Sequence, residues 1–149
     1  MNGSASAVVI IPTYNERDNL SELTRRLLNL DLDLNILFID DGSPDGTGKL
    51  ADDLAAQFNH VSVIHRKGKL GYGSAVIEGF RSAMMQDYDW ILQMDADLSH
   101  DPASIPDMLK AAEESENEKG STQTLDDSPG RDSDGGFRAG HYAKYAGGR

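Results

Sequence analysis

Four short apolar runs are spaced along the chain, and each is followed by polar residues. The runs are Ala7–Ile11, Leu34–Ile39, Val61–Ile64 and Trp90–Met94. Short and nearly continuous apolar segments of this kind are typical of strands that are covered on both faces. The pattern therefore predicts four buried β-strands.

The segments that follow these runs carry apolar residues at the spacing of amphipathic helices. Leucines recur at this spacing from Leu20 to Leu30, and three later segments around Leu54, Phe80 and Met108 repeat the pattern. Strand–helix alternation predicts a parallel sheet with right-handed crossover connections. The fold class is therefore α/β, a doubly wound half-sheet, and ligands are expected at the carboxyl ends of its strands.

The composition changes after Ala112. Residues 113–149 are dominated by Glu, Ser, Asp, Gly and Thr, and their only large aliphatic residue and only phenylalanine are Leu125 and Phe137. Such a segment cannot bury enough apolar surface to offset the loss of chain entropy. We therefore expect one globular domain over residues 1–112 and a disordered tail over residues 113–149.

Charge and composition exclude several classes of protein. The formal net charge of −11 argues against nucleic-acid binding, which needs a basic surface. The absence of cysteine excludes disulfides and thiolate metal sites. No signal peptide is visible, and no apolar run approaches the ~18 residues of a membrane span. We expect a cytoplasmic protein, either free in the cytoplasm or bound peripherally at the cytoplasmic face of a membrane.

The first two strand ends carry residues that suit a nucleoside. Tyr14 can stack on a flat base and Glu16 can accept hydrogen bonds from a base edge or a ribose; the alternative is a plain turn with Asn15 as helix N-cap. Asp40 and Asp41 are adjacent carboxylates, which repel each other and lose hydration. Such a pair needs partners, for example a ribose diol, a base N–H or a cation. The Ser-Pro-Asp-Gly sequence that follows predicts a tight turn, but the turn does not account for the two carboxylates.

The third and fourth strand ends suggest phosphate and metal binding. Between Arg66 and Gly73, three cations and three glycines precede a predicted helix, so backbone N–H groups and the helix dipole can approach a phosphate. A solvated loop is the alternative there. Asp95 and Asp97 end the fourth strand, and such a pair can hold one Mg²⁺ or Mn²⁺ together with substrate phosphates. We expect no catalytic role for His100.

Other phosphate-handling sites fit the sequence less well. A P-loop is excluded because five residues separate Gly42 from Gly48, and Lys49 is followed by Leu50. The sequence Asp95–Ser99 also resembles the nucleophile loop of haloacid-dehalogenase-type phosphatases. In those enzymes the loop usually ends the first strand of the core, whereas here it ends the fourth.

Four motifs, VVIIPTYNE, FIDDGSPDGT, RKGKLGYGSA and MDADLSHDP, occur in this order on the four predicted strands. Together they resemble family 2 glycosyltransferases of the GT-A fold, in particular the dolichyl- or polyprenyl-phosphate mannosyltransferases, over roughly residues 7–112. The resemblance implies a GT-A-type half-sheet with strand order 3-2-1-4 and helices on both faces. It also implies that Trp90–Met94 is an exposed sheet edge, which would promote self-association.

The resemblance further implies an activity and a set of site residues. The chain would move mannose from GDP-mannose to a polyprenyl (dolichyl) phosphate with inversion, using Mg²⁺ or Mn²⁺. The implied nucleotide-sugar contacts are Pro12, Tyr14, Glu16, Ile39, Asp41, Lys69, Gly71, Asp95, Ala96 and Asp97. Catalysis and metal binding fall to Asp95 and Asp97, with Ser99 as a further metal ligand.

One departure from the family changes the expectation for activity. In the family, the helix after the D-x-D motif leads into further strands with basic residues for the sugar and lipid phosphates, and the sequence from Glu113 onward offers no such strand. We therefore expect the second half of the enzyme to be missing and this chain alone to transfer nothing. The alternatives are a nucleotide-sugar-binding module without transfer activity, a family 2 enzyme that uses a UDP-sugar, and a haloacid-dehalogenase-type phosphatase.

Overall fold

The computed structural model describes residues 6–119 and 142–143. The elements, in chain order, are β1 (Ala7–Thr13), α1 (Arg17–Leu28), β2 (Leu34–Asp40), α2 (Thr47–Gln57), β3 (Val61–His65), α3 (Tyr72–Met84), β4 (Trp90–Gln93), a 3₁₀ turn (Pro102–Ser104), α4 (Ile105–Lys119) and β5 (Tyr142–Ala143). The four strands and four helices that the apolar pattern predicts are therefore confirmed.

The first four strands form one parallel sheet in the order β3-β2-β1-β4, as the resemblance implies. β1 lies inside the sheet, where Ala7–Thr13 pairs with Leu34–Asp40 on one side and Ala7–Ile10 pairs with Trp90–Gln93 on the other. Because the strands are parallel, their carboxyl ends meet at one edge of the sheet. The loops with candidate chemistry are thereby gathered at that edge.

Helices cover both faces of this sheet, which explains why its strands read as continuous apolar runs. On one face, α1, α2 and α4 pack on alternate strand residues such as Val9, Ile11 and Phe38. On the other face, α3 packs on a second set that includes Val8 and Ile10. All seven residues of β1 are buried, including its polar last residue.

α3 approaches the sheet closely at Gly79. A Cβ atom at this position would lie 2.5 Å from Ile10 Cγ2 and 2.8 Å from Ile39 Cδ1. Neither branched side chain can move away freely, because both are fully buried. The missing side chain of Gly79 therefore sets the distance between α3 and the sheet.

This close approach leads to a stability prediction. We expect Gly79→Ala to lower the free energy of unfolding by about 1–2 kcal/mol, because the cost of overpacking exceeds the gain in helix propensity. Arg81→Ala, at an exposed position of the same helix, is the control and should change it by less than about 0.5 kcal/mol. Urea unfolding measures both, and equal stabilities of the two variants would contradict the close approach.

Two features at the C-terminal end differ from the expectations. α4 continues past Ala112 to Lys119, so the predicted domain boundary does not coincide with the end of the helix. β5 pairs antiparallel with β4 at Ile91 and Leu92, so the edge that was expected to be exposed has a strand partner there. An exposed edge was expected to promote self-association by pairing with another chain. At Ile91 and Leu92 the backbone groups of the edge already pair with β5, so these two residues give no support to that expectation.

The rest of the predicted tail, residues 120–141 and 144–149, lies outside the described residues. The expectation of disorder stays a prediction for that part of the chain. Where the structure describes the chain, it contains no helix with the length and apolarity needed to cross a membrane.

Candidate active site

A cavity of about 420 Å³ lies at the carboxyl edge of the sheet, between the ends of β1, β2 and β4 and the start of α3. It is lined by Pro12, Thr13, Tyr14, Glu16, Asp41, Lys69, Gly71, Tyr72, Ala75, Asp95, Ala96 and Asp97. All the nucleotide-sugar contacts that the resemblance implies are in this wall, except Ile39. Four separate loops thus meet where a parallel sheet is expected to bind its ligand.

Ile39 and Ser99 do not line the cavity. Ile39 is fully buried in the core beneath α3, because its side chain alternates to that face of β2. Ser99 is exposed; its backbone N–H donates to Asp97 Oδ1 at 3.0 Å, and its hydroxyl lies 3.2 Å from His100 Nδ1. Ser99 therefore supports Asp97 rather than facing the cavity, and His100 is also outside the wall.

The loops after β1 and β3 are joined by an aromatic–cation contact. The Lys69 Nζ atom lies 4.6 Å from the centroid of the Tyr14 ring. Tyr14 is 36% exposed and lines the cavity, and the ammonium group covers part of its ring. Contacts of this kind contribute about 0.5–1 kcal/mol at exposed sites. The pair places a flat ring and a positive charge side by side in the wall.

The loops after β1 and β2 are tied together by hydrogen bonds to the start of α1. The N–H of Asn15 donates to Ser43 Oγ, and the N–H of Glu16 donates to Thr47 Oγ1, each at 3.0 Å. Glu16 rather than Asn15 is the N-cap residue of α1, and it makes no side-chain capping bond. Asn15 instead takes up a left-handed conformation with φ of 56°, which turns the chain into the helix.

Asp40 holds the loop and does not reach the cavity. Its Oδ1 accepts hydrogen bonds from Thr13 Oγ1 at 2.8 Å and from Ser43 Oγ at 2.6 Å, and its Oδ2 accepts from the Ser43 N–H at 3.1 Å. The carboxylate is 2% exposed, so these three donors replace the water that it loses. One member of the acidic pair is thus satisfied by the protein itself.

Asp41 lines the cavity and is balanced by a buried arginine. Arg66 Nε lies 3.0 Å from Asp41 Oδ1 and 3.3 Å from Glu78 Oε2, and the Arg66 side chain is 2% exposed. The N–H of Gly71 donates to Asp41 Oδ2 at 3.1 Å, and Arg66 Nη2 donates to Ser74 Oγ. The Arg66–Asp41 contact lacks hydrogen-bond geometry, so we describe it as an ion pair held by charge.

Asp95 and Asp97 lie in the loop after β4, beyond Met94, and both line the cavity. Asp95 Oδ1 accepts a hydrogen bond from the Tyr72 hydroxyl at 2.6 Å. The pKa of Asp97 lies below its usual value, first because of the Ser99 hydroxyl and second because of the Ser99 N–H, both of which favour the carboxylate. Asp97 is therefore an anion at neutral pH.

Residues 8–136 match the sequence model described as glycosyl transferase family 2. The chain belongs to glycosyl transferase family 2. This membership agrees with the order of the four motifs, and it removes the haloacid-dehalogenase-type phosphatase from the alternatives.

Curated relatives of this family 2 chain are named as polyprenyl-phosphate mannosyltransferases. It is 46% identical over 107 residues to the polyprenol monophosphomannose synthase of Mycolicibacterium smegmatis, and 45% identical over 104 residues to the undecaprenyl-phosphate mannosyltransferase of Micrococcus luteus. The matches cover 71% and 70% of this chain, but 40% and 43% of the relatives. The chain therefore spans less than half the length of these relatives.

Solved structures share the fold at lower identity. The mannosyltransferase PcManGT from Pyrobaculum calidifontis, solved with GDP-Man and Mn²⁺, matches with a TM-score of 0.56 and 22% identity over 64% of this chain and 28% of its own. TarS from S. aureus, solved with UDP-GlcNAc, matches with a TM-score of 0.61 and 20% identity over 80% of this chain and 38% of its own. These likenesses confirm the GT-A-type fold.

Asp95 and Asp97 are two carboxylates of the cavity wall, two residues apart in the chain, whose oxygens could bind a divalent cation. Among residues 6–119 and 142–143, no cluster of three or more His, Cys, Asp or Glu residues could hold a metal by itself. Mg²⁺ and Mn²⁺ commonly take one or two carboxylates and complete their shell with water and substrate phosphates. Two carboxylates in the wall of this cavity fit that chemistry.

Three of the lining residues, Thr13, Tyr72 and Ala75, are not predicted from the sequence. Tyr72 stands among glycines at a helix start, a pattern that by itself predicts only a phosphate loop. Arg66 was counted as one of three loop cations, whereas its side chain is buried against Asp41. An arginine directly after an apolar strand was the available signal for that burial.

Proposed function

We propose that this chain carries the donor-binding part of an inverting, metal-dependent mannosyltransferase that uses GDP-mannose and a polyprenyl (dolichyl) phosphate. The observation that carries the proposal is the convergence of a ring, four carboxylates, a lysine and a glycine-rich helix start on one cavity. The names of the relatives support mannose as the sugar and a lipid phosphate as the acceptor. Because the chain spans less than half of those relatives, the complete reaction is part of the proposal.

The wall divides into regions with different chemistry. Tyr14 stacks on the base, and Glu16 and Asp41 accept hydrogen bonds from the nucleoside. Lys69 offsets phosphate charge, while the N–H of Gly71 is already donated to Asp41 and is not available to a phosphate. Pro12, Ala96 and Thr13 shape the wall through their apolar atoms.

Asp95 and Asp97 take the metal-binding role, with Mg²⁺ or Mn²⁺ as the cation. A bound divalent ion offsets the charge that builds on the leaving diphosphate as the bond to the sugar breaks. Ser99, predicted as a further metal ligand, donates a hydrogen bond from its N–H to Asp97, so the proposal gives it the role of supporting that carboxylate. A lipid phosphate is an anion at neutral pH, so it needs no general base to attack the sugar.

A nucleotide panel tests the donor part of the proposal. We expect calorimetry to give at least about tenfold tighter binding of GDP than of UDP, and tighter binding with Mn²⁺ than with EDTA; tenfold corresponds to about 1.4 kcal/mol. A preference for UDP would instead support a family 2 enzyme with a UDP-sugar donor. Equal binding with and without Mn²⁺ would contradict the metal assignment.

Transfer by this chain alone is a separate prediction. The cavity wall carries four carboxylates and one lysine, so an anionic acceptor beside a bound diphosphate is poorly compensated. The assay measures the transfer of labelled mannose from GDP-mannose to polyprenyl phosphate in detergent. We expect a turnover rate far below the ~1 per second of typical enzymes. Turnover at that rate would show that this chain is sufficient, and would rule out a binding module without transfer activity.

A further inference from the structure

A chain of three polar side chains connects the inside of β4 with the candidate metal site. Gln93, the last residue of β4, is 2% exposed in an otherwise apolar strand. Its Nε2 donates a hydrogen bond to the phenolic oxygen of Tyr72, the first residue of α3. Tyr72 in turn donates to Asp95 Oδ1 at 2.6 Å.

The direction of these bonds is fixed by the number of protons. A phenol has a single proton to donate. Because the Gln93 amide donates to the phenolic oxygen, the Tyr72 proton is left for the Asp95 carboxylate. The two bonds therefore form a directed chain that runs from the Gln93 amide through the Tyr72 hydroxyl to Asp95 Oδ1.

Stability does not explain this arrangement. A buried glutamine in an apolar strand loses hydration, and the Oε1 of Gln93 has no hydrogen-bond partner within the described part of the chain. An apolar side chain of similar volume would avoid that loss. The hydrogen bond from Gln93 goes to Tyr72, which in turn donates to Asp95 in the cavity wall. The reason for the buried glutamine is therefore sought at Asp95.

We propose that Tyr72 is a positioning residue for Asp95, with Gln93 directing its proton. By holding Oδ1, Tyr72 restricts the rotation of the carboxylate and leaves Oδ2 for a divalent cation. This inference rests on the proposed function, in which Asp95 is a metal ligand. Partners that orient a metal ligand in this way are typically worth 10- to 100-fold in metal affinity.

The test compares Tyr72→Phe with Tyr88→Phe in the full chain. Tyr88 is also partly buried, but it lines a second cavity beside Asn35 and His60, near the opposite ends of the strands. Electron paramagnetic resonance measures Mn²⁺ binding in the presence of GDP. We expect Tyr72→Phe to weaken Mn²⁺ binding by about 10- to 100-fold and Tyr88→Phe to leave it unchanged.

Two further measurements separate positioning from a plain structural or contact role. GDP affinity in EDTA should stay within about twofold in Tyr72→Phe, since the effect acts through the metal ligand. Gln93→Met should also weaken Mn²⁺ binding, while its thermal unfolding temperature should be no lower than that of the wild type. A stable Gln93→Met protein remains informative if Tyr72→Phe does not fold.

Each outcome decides the inference. Wild-type Mn²⁺ affinity in both the Tyr72 and Gln93 variants would overturn it while leaving the proposed function intact. If Tyr72→Phe lost as much GDP affinity in EDTA as it loses in Mn²⁺ affinity, Tyr72 would be assigned to direct nucleotide contact. That result would also overturn the inference. A wild-type chain without Mn²⁺-dependent nucleotide binding would remove the proposed function and this inference together.

Discussion

Replacing Asp97 by Asn is expected to remove the Mn²⁺ dependence of nucleotide binding and to leave the fold intact. Asp97 is one of the two carboxylates that we propose as metal ligands, and its lowered pKa keeps it charged at neutral pH. Its side chain is exposed, so the change to an amide creates no cavity in the core. We expect GDP affinity in Mn²⁺ to fall by about 100-fold or more, which corresponds to about 2.8 kcal/mol.

The matched control is Asp107→Asn, which removes an exposed carboxylate from α4, away from the cavity. Calorimetry with GDP in Mn²⁺ and in EDTA should distinguish the two variants. In EDTA, Asp97→Asn and Asp107→Asn should both bind as the wild type does. If Asp97→Asn kept the full Mn²⁺ effect, the metal would have to be held elsewhere.

Replacing Arg66 by Met is expected to have the largest effect on stability. The Arg66 side chain is 2% exposed and Asp41 is 4% exposed, so the pair is almost entirely removed from water. Removal of the arginine leaves a buried carboxylate whose remaining donor is the Gly71 N–H. Breaking a buried pair in this way typically costs about 3–5 kcal/mol, a large part of the stability of a small domain.

A set of variants separates the charge effect from the loss of packing. Glu78→Gln removes the charge of the second carboxylate beside Arg66, whose side chain is 48% exposed. We expect it to lower the free energy of unfolding by at most about 1 kcal/mol. The double variant Arg66→Met, Asp41→Asn should recover part of the loss, because no unpaired charge is then buried. Urea unfolding measures all three. If Arg66→Met were as stable as Glu78→Gln, the buried pair would carry no structural role.

The sheet could be predicted because its signal is local. Each strand is buried on both faces, so runs such as Ala7–Ile11 need no partner to be recognised. The strand order required the resemblance, since nothing in the apolar pattern states which strands are neighbours. β5 could not be predicted, because two residues are too few to show an alternation and its pairing joins residues about fifty positions apart.

The site could be predicted only where a residue type carries its own chemistry. Asp95 and Asp97 are charged groups just after an apolar strand, and both line the cavity. The side chain of Ile39 lies in the core because the alternation of the strand turns it away from the cavity, so its contact with the nucleoside stays a prediction. The partners of Asp40, Asp41 and Tyr72 come from other loops, so sequence alone showed the need for partners but not their identity.

The hydrogen bonds from Asn15 and Glu16 to the β2–α2 loop have a consequence for engineering. The N-cap residue of α1 makes no side-chain capping bond. The backbone N–H groups just before the helix donate instead to the hydroxyls of Ser43 and Thr47. The first loop and the second loop are therefore a single module, even though about thirty residues separate them in the chain. A chimaera that takes the Tyr14 loop from a relative has to take the β2–α2 loop with it, or the base-facing side of the cavity loses its support.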